Sequence, residues 1–452
     1  MQKLKFEIDW VDAEGVHGPE LSATWASLRI AAGESAVTRV LDARAKTVRE
    51  CVSVPLYPLA EWLATNWWFL MREVNNPAKE DDRDFRRRHV LGGGREGYAF
   101  PNLEMFSSGG WTHLAWKGGP SPWTRVEFLG QGEARIDSGE FREACSGIVD
   151  QVIRRLVSLG IEETFLQQEW KAIQEADVEE AEFCAVAAGL GWDPYALDDD
   201  GRALVLELAE RLSGVVLEEA VAALDPQRVL EGCSAISGAM AEARSNGLRL
   251  EGLGRIAREN RPDYGSTSSP SQEVVPPWEA GYEMAGQLRW ALELDGEPLA
   301  SMSGVAGVIG EGSELLERVN KPVDLRAAPL VDGVVTLDEE RNPAFGFRQL
   351  GERSRRFHFC RALAEVLASP GTDTLLTRAN SERQQRNRAF AAEFLAPASG
   401  LRERIPGRTV DGDAIDELAD EFGVSSRVIE HQIQNHRIAW AVPHRFGDPE
   451  AR

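Results

Sequence analysis

The chain has 452 residues, 43% of them apolar and 27% charged, and its excess of acidic residues gives a formal net charge of -23. A chain of this length is expected to fold into two or three domains. Its apolar and charged fractions are close to the average of globular proteins, which excludes wholesale disorder. The negative charge opposes non-specific attraction to nucleic acid, whose phosphates favour clustered lysine and arginine.

The sequence contains no membrane or export signal that we recognise. No run of eighteen apolar residues occurs, and residues 1–10 alternate charged and apolar side chains instead of forming a signal-peptide core. The five cysteines are scattered without a C-x-x-C pair, which predicts neither a disulfide framework nor a cysteine zinc site. We therefore expect a cytoplasmic protein without membrane contact.

The amino-terminal region, residues 1–135, is predicted to be strand-rich. Apolar and polar residues alternate at 6–10, 23–30 and 124–129, whereas 58–73 has the spacing of one helix. The charged segment 79–89 has no period, so we expect a solvated loop in which the arginines at 86–88 are surface residues rather than an anion site. Most of the thirteen tryptophans precede residue 200, as in a tryptophan-rich core.

Residues 136–260 are predicted to form a helical middle domain, since apolar residues such as Leu204, Leu206, Leu208 and Leu212 continue a helical pattern. The segment 261–277 is rich in proline, serine and glycine, which predicts a linker that broad-specificity proteases cut first. A further domain is expected at 278–440. Its glycines at 304–312 lack the context of a dinucleotide loop and are interpreted as turn residues.

Two helices are predicted in this last domain. The stretch R-R-F-H-F-C-R-A-L-A-E-V-L-A at 355–368 places Phe359, Leu363, Val366 and Leu367 on one face. The stretch E-R-Q-Q-R-N-R-A-F-A-A-E-F-L-A-P follows at 382–397 and ends at a proline.

These two helices resemble those of the ImmA/IrrE metallopeptidase family, whose first helix has the pattern R-F-x-x-A-H-E-x-x-H-x-L and whose second has E-x-x-A-N-x-F-A-A-E-L-L-x-P. The matching positions are Arg356, Phe357, Leu363, Leu367, the run at 390–393, Leu395 and Pro397. The segments 281–289 and 418–429 are similar to the opening helix and the closing helical pair of the family. The resemblance thus covers roughly residues 278–437 and explains nothing in 1–260.

The resemblance also implies where the zinc chemistry of the family would lie. The family needs two histidines one helical turn apart, a glutamate beside the first as general base, and a carboxylate from the second helix. Those positions hold Arg361 for the first histidine, Ala362 for the glutamate, Glu365 for the second histidine and Gln384 for the carboxylate. We therefore expect no catalytic residues, no bound metal and no cofactor, and we expect Arg361→Ala to leave the fold nearly unchanged.

Three alternatives remain open for this altered cleft. A non-standard metal site would use His358, Cys360 and Glu365, although residues two apart on a helix point in different directions. A purely structural account pairs Arg361 with Glu365 at i, i+4. A binding account has the cleft lined by arginines that hold a carboxylate or a phosphate, with Arg361, Glu365, Arg383 and Arg388 as binding residues and Arg386 beside them.

The segment 413–436 has the residue spacing of a helix-turn-helix, with a turn at Gly423 and a helix cap at Ser425. Its second helix offers Arg427, Gln432, Gln434 and Asn435, but also Glu430, and its first helix is acidic. We expect it to contact a partner rather than read DNA.

The sequence therefore predicts an α+β protein with a strand-rich amino-terminal domain, a helical middle and a mainly helical metallopeptidase-like domain that carries a small sheet near 334–338. The resemblance implies a regulatory or defence-related scaffold that binds a protein partner, such as a regulator, through the degenerate cleft. Two other functions stay open, an active metallo-endopeptidase with a non-standard site and a nucleic-acid-binding regulator. The partner, the oligomeric state and the task of residues 1–260 are not predicted.

Overall fold

The computed structural model describes residues 3–441 apart from 14, 77–81, 95–96, 123, 246–251, 253–254, 256–274, 313–314, 316, 318, 320 and 340. The chain divides into two compact units, Met1–Glu210 with Ala379–Ser381, and Arg211–Arg378 with Glu382–Arg452. The sequence-based domain boundaries stay predictions, and the proposed linker lies outside the described residues up to 274. None of the described helices is both long and apolar enough to cross a membrane.

The first unit contains the strands that the alternating patterns predict. In chain order they are β1 Leu4–Trp10, β2 Trp25–Ala32, β3 Ser35–Ala36, β4 Val40–Asp42, β5 Thr47–Arg49, β6 Val52–Pro55, β7 Asn102–Ser108, β8 Trp111–Lys117, β9 Gly119–Pro120, β10 Val126–Phe128 and β11 Gly132–Asp137. They form three antiparallel sheets, the first with β1, β2, β3 and β6, the second in the order β5-β4-β10-β9 and the third in the order β11-β8-β7. The described strands of this unit are two to eight residues long. Along them, alternating apolar and polar side chains determine which face of the sheet is buried.

Helices cover this core. They are α1 Pro19–Ala23, α2 Tyr57–Thr65, α3 Trp67–Arg72, α4 Asp82–His89, α5 Ser138–Ser158, α6 Phe165–Glu175, α7 Val178–Gly189 and α8 Asp199–Arg211, with a 3-10 turn at Leu91–Gly94. The single helix predicted at 58–73 is two helices that break at Asn66, whose side-chain amide donates to the Trp62 carbonyl. The pattern prediction also fails at Leu206, which is exposed although it was placed on the apolar face of α8.

The solvated loop predicted at 79–89 is wrong, because residues 82–89 form α4. Phe85 and His89, one turn apart, are buried and their rings stack with centroids 3.9 Å apart. Arg88 and His89 both bind the buried carboxylate of Glu73, at 2.5 and 3.0 Å. Burial would raise the pKa of Glu73, but the hydrogen bonds from His89 and Arg88 outweigh it and lower that pKa. The many charged residues of this segment obscured the helical pattern of α4, which is held by the buried ion cluster of Glu73, Arg88 and His89.

The second unit contains most of the remaining elements. They are α9 Gly214–Ala223, α10 Val229–Ser245, α11 Pro277–Ala291, α12 Met302–Val308, β12 Val331–Leu337, β13 Pro343–Phe347, α13 Glu352–Ala368, β14 Thr374–Thr377, α14 Glu382–Leu395, α15 Ala398–Arg404, β15 Thr409–Val410, α16 Gly412–Phe422, α17 Ser426–Asn435 and β16 Trp440–Ala441. Strand β12 lies between β13 and β14, antiparallel to both, and β15 pairs with β16 in parallel. The predicted small sheet and the α+β class are confirmed.

The core of this unit lies between α13, α14 and the sheet. Phe359, Leu363, Phe390 and Phe394 are fully buried, as the helical spacing predicts. Helix α11 packs closely on α14 because Gly281 has no side chain, and a Cβ there would lie 2.3 Å from a backbone oxygen of α14.

The closing helices α16 and α17 turn at Gly423, which has a left-handed φ of 63°. Arg356 of α13 is buried and donates to the carbonyls of Gly423 and Ala300, so this arginine holds the turn against the core. The Ser425 side chain makes no cap hydrogen bond. The interpretation of 304–312 as turn residues is wrong in part, since Gly304 lies in α12.

Candidate functional site

The four positions that correspond to the family's zinc chemistry lie together in the second unit. Arg361 and Glu365 are one turn apart on α13, and Gln384 lies in the first turn of α14. Arg361 donates to the Gln384 side-chain oxygen at 2.5 Å. Ala362, at the position of the general base, is fully buried. The two helices therefore bring Arg361 and Gln384 into direct contact.

The Arg361 side chain lies inside the protein and is only 3% exposed. Its Nη2 also donates to the Thr377 carbonyl at 2.7 Å, and its Nη1 lies 3.7 Å from Oδ2 of Asp332. Burial lowers the pKa of Arg361, and the charges of Asp332, Glu219 and Glu365 oppose that effect. A fixed guanidinium thus occupies the place where the family resemblance puts an imidazole.

The side-chain amide of Gln384 caps the edge of the sheet. Its Oε1 accepts from the Thr377 backbone N–H at 3.2 Å, and its Nε2 donates to the Leu375 carbonyl at 2.7 Å. An amide that donates to one residue and accepts from the residue two further along bonds a strand edge as a neighbouring backbone does. Together with Arg361, it satisfies backbone groups of β14 that a paired peptide would otherwise use.

Glu219 of α9 completes this network from the amino-terminal side of the unit. Its Oε2 accepts from Gln384 Nε2 at 2.9 Å and from the Thr377 hydroxyl at 3.0 Å, and the residue is 4% exposed. A buried carboxylate is stable only when such donors and a nearby cation compensate its lost hydration. Arg361, on which the charge of Glu219 acts, supplies that cation.

Glu365 has partners on α14. Arg386 contacts its Oε1 at 2.8 Å, Arg383 binds its Oε2, and Asn387 donates to Oε1. The i, i+4 pair of Arg361 and Glu365 expected from sequence is therefore wrong, because Glu365 bonds across to α14 while Arg361 bonds to β14 and Gln384. The hydrogen bonds and ion pairs of Glu365 to α14 thus take the place of the weak ion pair with Arg361 within α13.

A second carboxylate, Asp332 at the start of β12, lies beside Arg361 and is 4% exposed. His358 contacts its Oδ2 at 3.2 Å, and Arg378 and Arg348 lie 3.2 and 3.9 Å from its Oδ1. Burial alone would raise the pKa of Asp332, but the hydrogen bond from His358 and the charges of His358, Arg361 and Arg378 lower it to about 2. Asp332 is thus ionised at neutral pH and is surrounded by cations.

Arg388 lies near the same network. Burial lowers its pKa to about 10, and the charge of Arg361 adds to that effect while Glu219 and Asp332 oppose it. Of the predicted binding residues, Arg361 and Arg388 thus lie close enough to Asp332 and Glu219 for their charges to interact. Arg383 forms an ion pair with Glu365. Their role in binding stays a prediction.

The residues of the alternative metal site have other partners. His358 Nδ1 lies 2.6 Å from the Ser354 carbonyl, and its Nε2 faces Asp332. Cys360 is fully buried in the apolar core, and burial raises its pKa to about 12. Glu365 binds the arginines of α14. Within the described parts of the chain, no group of three or more His, Cys, Asp or Glu side chains is arranged to hold a metal ion.

Sequence reasoning missed Asp332 and Glu219. A signal for Glu219 existed, since G-V-V-L-E-E-A-V-A-A at 214–223 carries acidic residues within an apolar helix. Asp332 is the second residue of the apolar strand β12, where an ionised side chain needs a partner. Their partners Arg361 and Gln384 lie more than a hundred residues from Glu219, so the sequence did not indicate the pairing.

The helical pair at the carboxy terminus uses polar residues of its second helix internally. Gln432 is fully buried and donates to Glu393 and to the Ala396 carbonyl, at 2.6 and 2.9 Å. Asn435 donates to the Tyr282 hydroxyl at 2.8 Å. Two of the four side chains that the sequence offered for contact with bases therefore have partners within the unit.

Comparison with known families supports the geometric correspondence. Residues 348–434 match the family model of the IrrE N-terminal-like domain, a segment that contains Arg361, Glu365 and Gln384. No curated protein and no solved structure shows a significant match to the chain. The carboxy-terminal segment from 348 to 434 is therefore similar to the IrrE N-terminal-like domain.

Proposed function

We propose that this domain is a catalytically degenerate relative of the IrrE-type metallopeptidases, and that the protein is a regulatory or defence-related scaffold that binds a protein partner. The observation that carries this proposal is the buried hydrogen bond between Arg361 and Gln384. It joins the positions of the first zinc histidine and the zinc carboxylate through a guanidinium, which cannot ligate a cation.

Two further features support loss of catalysis. Zinc peptidases use the metal to lower the pKa of bound water and a carboxylate to accept its proton. The buried methyl group of Ala362 cannot accept a proton. The side-chain amide of Gln384 is engaged by Glu219, Arg361 and Leu375, so it has internal partners in place of a metal. Restoring catalysis therefore requires more than one substitution.

The binding half of the proposal is supported by what the degenerate cleft retains. Its core is held by a connected set of buried polar side chains, and such a network fixes the geometry of the residues at its rim. The edge of β14 next to Gln384 is already bonded, so we propose that a partner contacts the rim rather than extending the sheet.

The test is capture of a partner from the native host on the immobilised full-length chain, followed by incubation of the purified pair. The proposal predicts a captured protein that keeps its full length through a long incubation. Cleavage of the partner that stops when a zinc chelator is added would overturn the proposal. The matched control is the same incubation without the chain, which reveals contaminating proteases.

A further inference from the structure

We propose that Arg348 and Arg378 form an anion-binding pair at the rim of the degenerate cleft, and that it takes a carboxylate from an acidic peptide segment of the partner. This inference rests on the proposed function and names the chemistry of the partner. Both guanidinium groups lie beside the same oxygen, Oδ1 of Asp332. Neither residue belongs to the zinc positions of the family pattern.

The spacing of the pair suits an oxyanion. Arg378 donates to Asp332 Oδ1 through Nε and Nη2, at 3.3 and 3.2 Å, and Arg348 Nη1 lies 3.9 Å from that oxygen while donating to the Pro329 carbonyl. The contacting nitrogens of the two arginines are therefore within about 7 Å of each other. Asp332 Oδ1 lies between these nitrogens, so a second carboxylate would approach the pair from its outer, exposed side.

The local charge is unbalanced. Asp332 is one carboxylate, and the guanidinium groups of Arg348, Arg361 and Arg378 all lie within 4.0 Å of it, with His358 as a further neighbour. The inner oxygen Oδ2 faces Arg361 and His358, whereas the outer oxygen Oδ1 faces the other two arginines. At least one positive charge on the outer side is left uncompensated by Asp332.

The same two arginines are the accessible ones. The Arg378 side chain is 48% exposed and that of Arg348 is 27% exposed, whereas Arg361 is 3% exposed. The net charge of -23 does not cancel this surplus, because salt screens charges that are more than about 8 Å away at physiological ionic strength. An acidic peptide therefore meets a positive rim on a negative protein, which disfavours binding elsewhere on the surface.

A carboxylate is favoured over other anions by the construction of the rim. Arg378 already donates to one carboxylate, that of Asp332, through Nε and Nη2, and Arg348 Nη1 lies 3.9 Å from the same oxygen. Arg378 directly follows β14, whose edge is capped by Gln384, so a peptide reaches this arginine with a side chain rather than by backbone pairing.

The test is fluorescence anisotropy of a labelled twelve-residue peptide of alternating glutamate and glycine, titrated with the full-length chain at physiological salt. The variant is Arg348→Gln with Arg378→Gln, and its far-ultraviolet circular dichroism reports folding. We expect its dissociation constant to rise roughly tenfold or more. A second variant, Arg348→Lys with Arg378→Lys, keeps the charges but loses the forks, and we expect an intermediate loss.

The control variant is Arg326→Gln in the same unit, where Arg326 is 90% exposed and pairs with Asp324. It should bind the peptide as the unaltered chain does. Equal binding by the double glutamine variant, or an equal loss in the control, would contradict the inference. So would displacement of the peptide by inorganic phosphate at concentrations where acetate has no effect, because the rim would then prefer phosphate. A zinc-dependent peptidase activity would instead overturn the proposed function without deciding this binding test.

Discussion

Replacing Arg361 with alanine should destabilise the second unit, although the family pattern alone suggests that the position tolerates change. The guanidinium is 3% exposed and donates to Thr377 and Gln384. It also lies 3.7 Å from the ionised Asp332. Alanine would leave two buried acceptors short of a donor and would remove one of the three guanidinium groups beside Asp332. The expectation from sequence that Arg361→Ala is nearly neutral is therefore replaced by the opposite one.

The magnitude follows from those contacts. Removing one partner of a buried charged network costs about 3 to 5 kcal/mol. Here the cost comes mainly from the two buried acceptors that lose their donor, because Asp332 keeps His358, Arg348 and Arg378. For a unit of this size, 1 kcal/mol shifts the melting temperature by about 2 to 4 °C, so we expect a fall of roughly 6 to 20 °C. Urea unfolding of the full-length chain, followed by circular dichroism, gives the free energy directly. Any separate unfolding of the two units has to be resolved first.

The matched control is Arg353→Ala on the same helix. Arg353 is 55% exposed and pairs with Asp420 at the surface, so its loss should cost less than about 1 kcal/mol. If Arg361→Ala and the control have the same free energy of unfolding, the buried network contributes no net stability and the Arg361 guanidinium is replaceable.

Three other predictions follow from named contacts. The lowered pKa of Asp332 stabilises the folded chain above pH 3.8, its unfolded value, and this stabilisation is lost as the pH falls through about 2. Between pH 7 and pH 2, the free energy of unfolding in urea should therefore fall by about 2 kcal/mol more for the unaltered chain than for Asp332→Asn. Equal losses would contradict this assignment. Gly423→Ala should cost about 1 to 3 kcal/mol, because φ is 63° and the new Cβ would lie 2.5 Å from Arg356 Nη2; a melting temperature equal to that of the unaltered chain would show that the turn adapts. Duplex DNA should give no retained complex in a mobility-shift assay at moderate salt, and a sub-micromolar complex that Arg427→Ala abolishes would refute this.

Much of the second unit could be predicted from sequence because local pattern and packing agree there. The spacing of Phe359 and Leu363, and of Phe390 and Phe394, placed both helices within a few residues of their observed ends. The alternation of residues 6–10 and 23–30 placed β1 and β2 equally well. In each case one face of the element is buried, and apolar periodicity records that face directly.

The remaining features depend on contacts between distant residues. Helix α4 was missed because its buried face contains His89 and Arg88, whose partner Glu73 lies outside the segment. Glu219 was missed because its partners, Gln384 and Thr377, are more than 150 residues away along the chain. A pattern of apolar residues does not record the pairing of buried charges, which only the folded chain reveals.

Loss of the zinc site is tested most directly by the metal content of the full-length chain, purified without chelators or affinity tags and measured by elemental mass spectrometry. We expect less than about 0.1 zinc per chain, since Arg361 and Gln384 bond each other where a zinc site needs a histidine and a carboxylate. The same measurement on Arg361→His combined with Ala362→Glu, Glu365→His and Gln384→Glu shows whether the helices keep the family geometry. A ratio close to one zinc in the unaltered chain, lost together with peptidase activity when His358, Cys360 or Glu365 is replaced, would show that the domain is an active metallopeptidase.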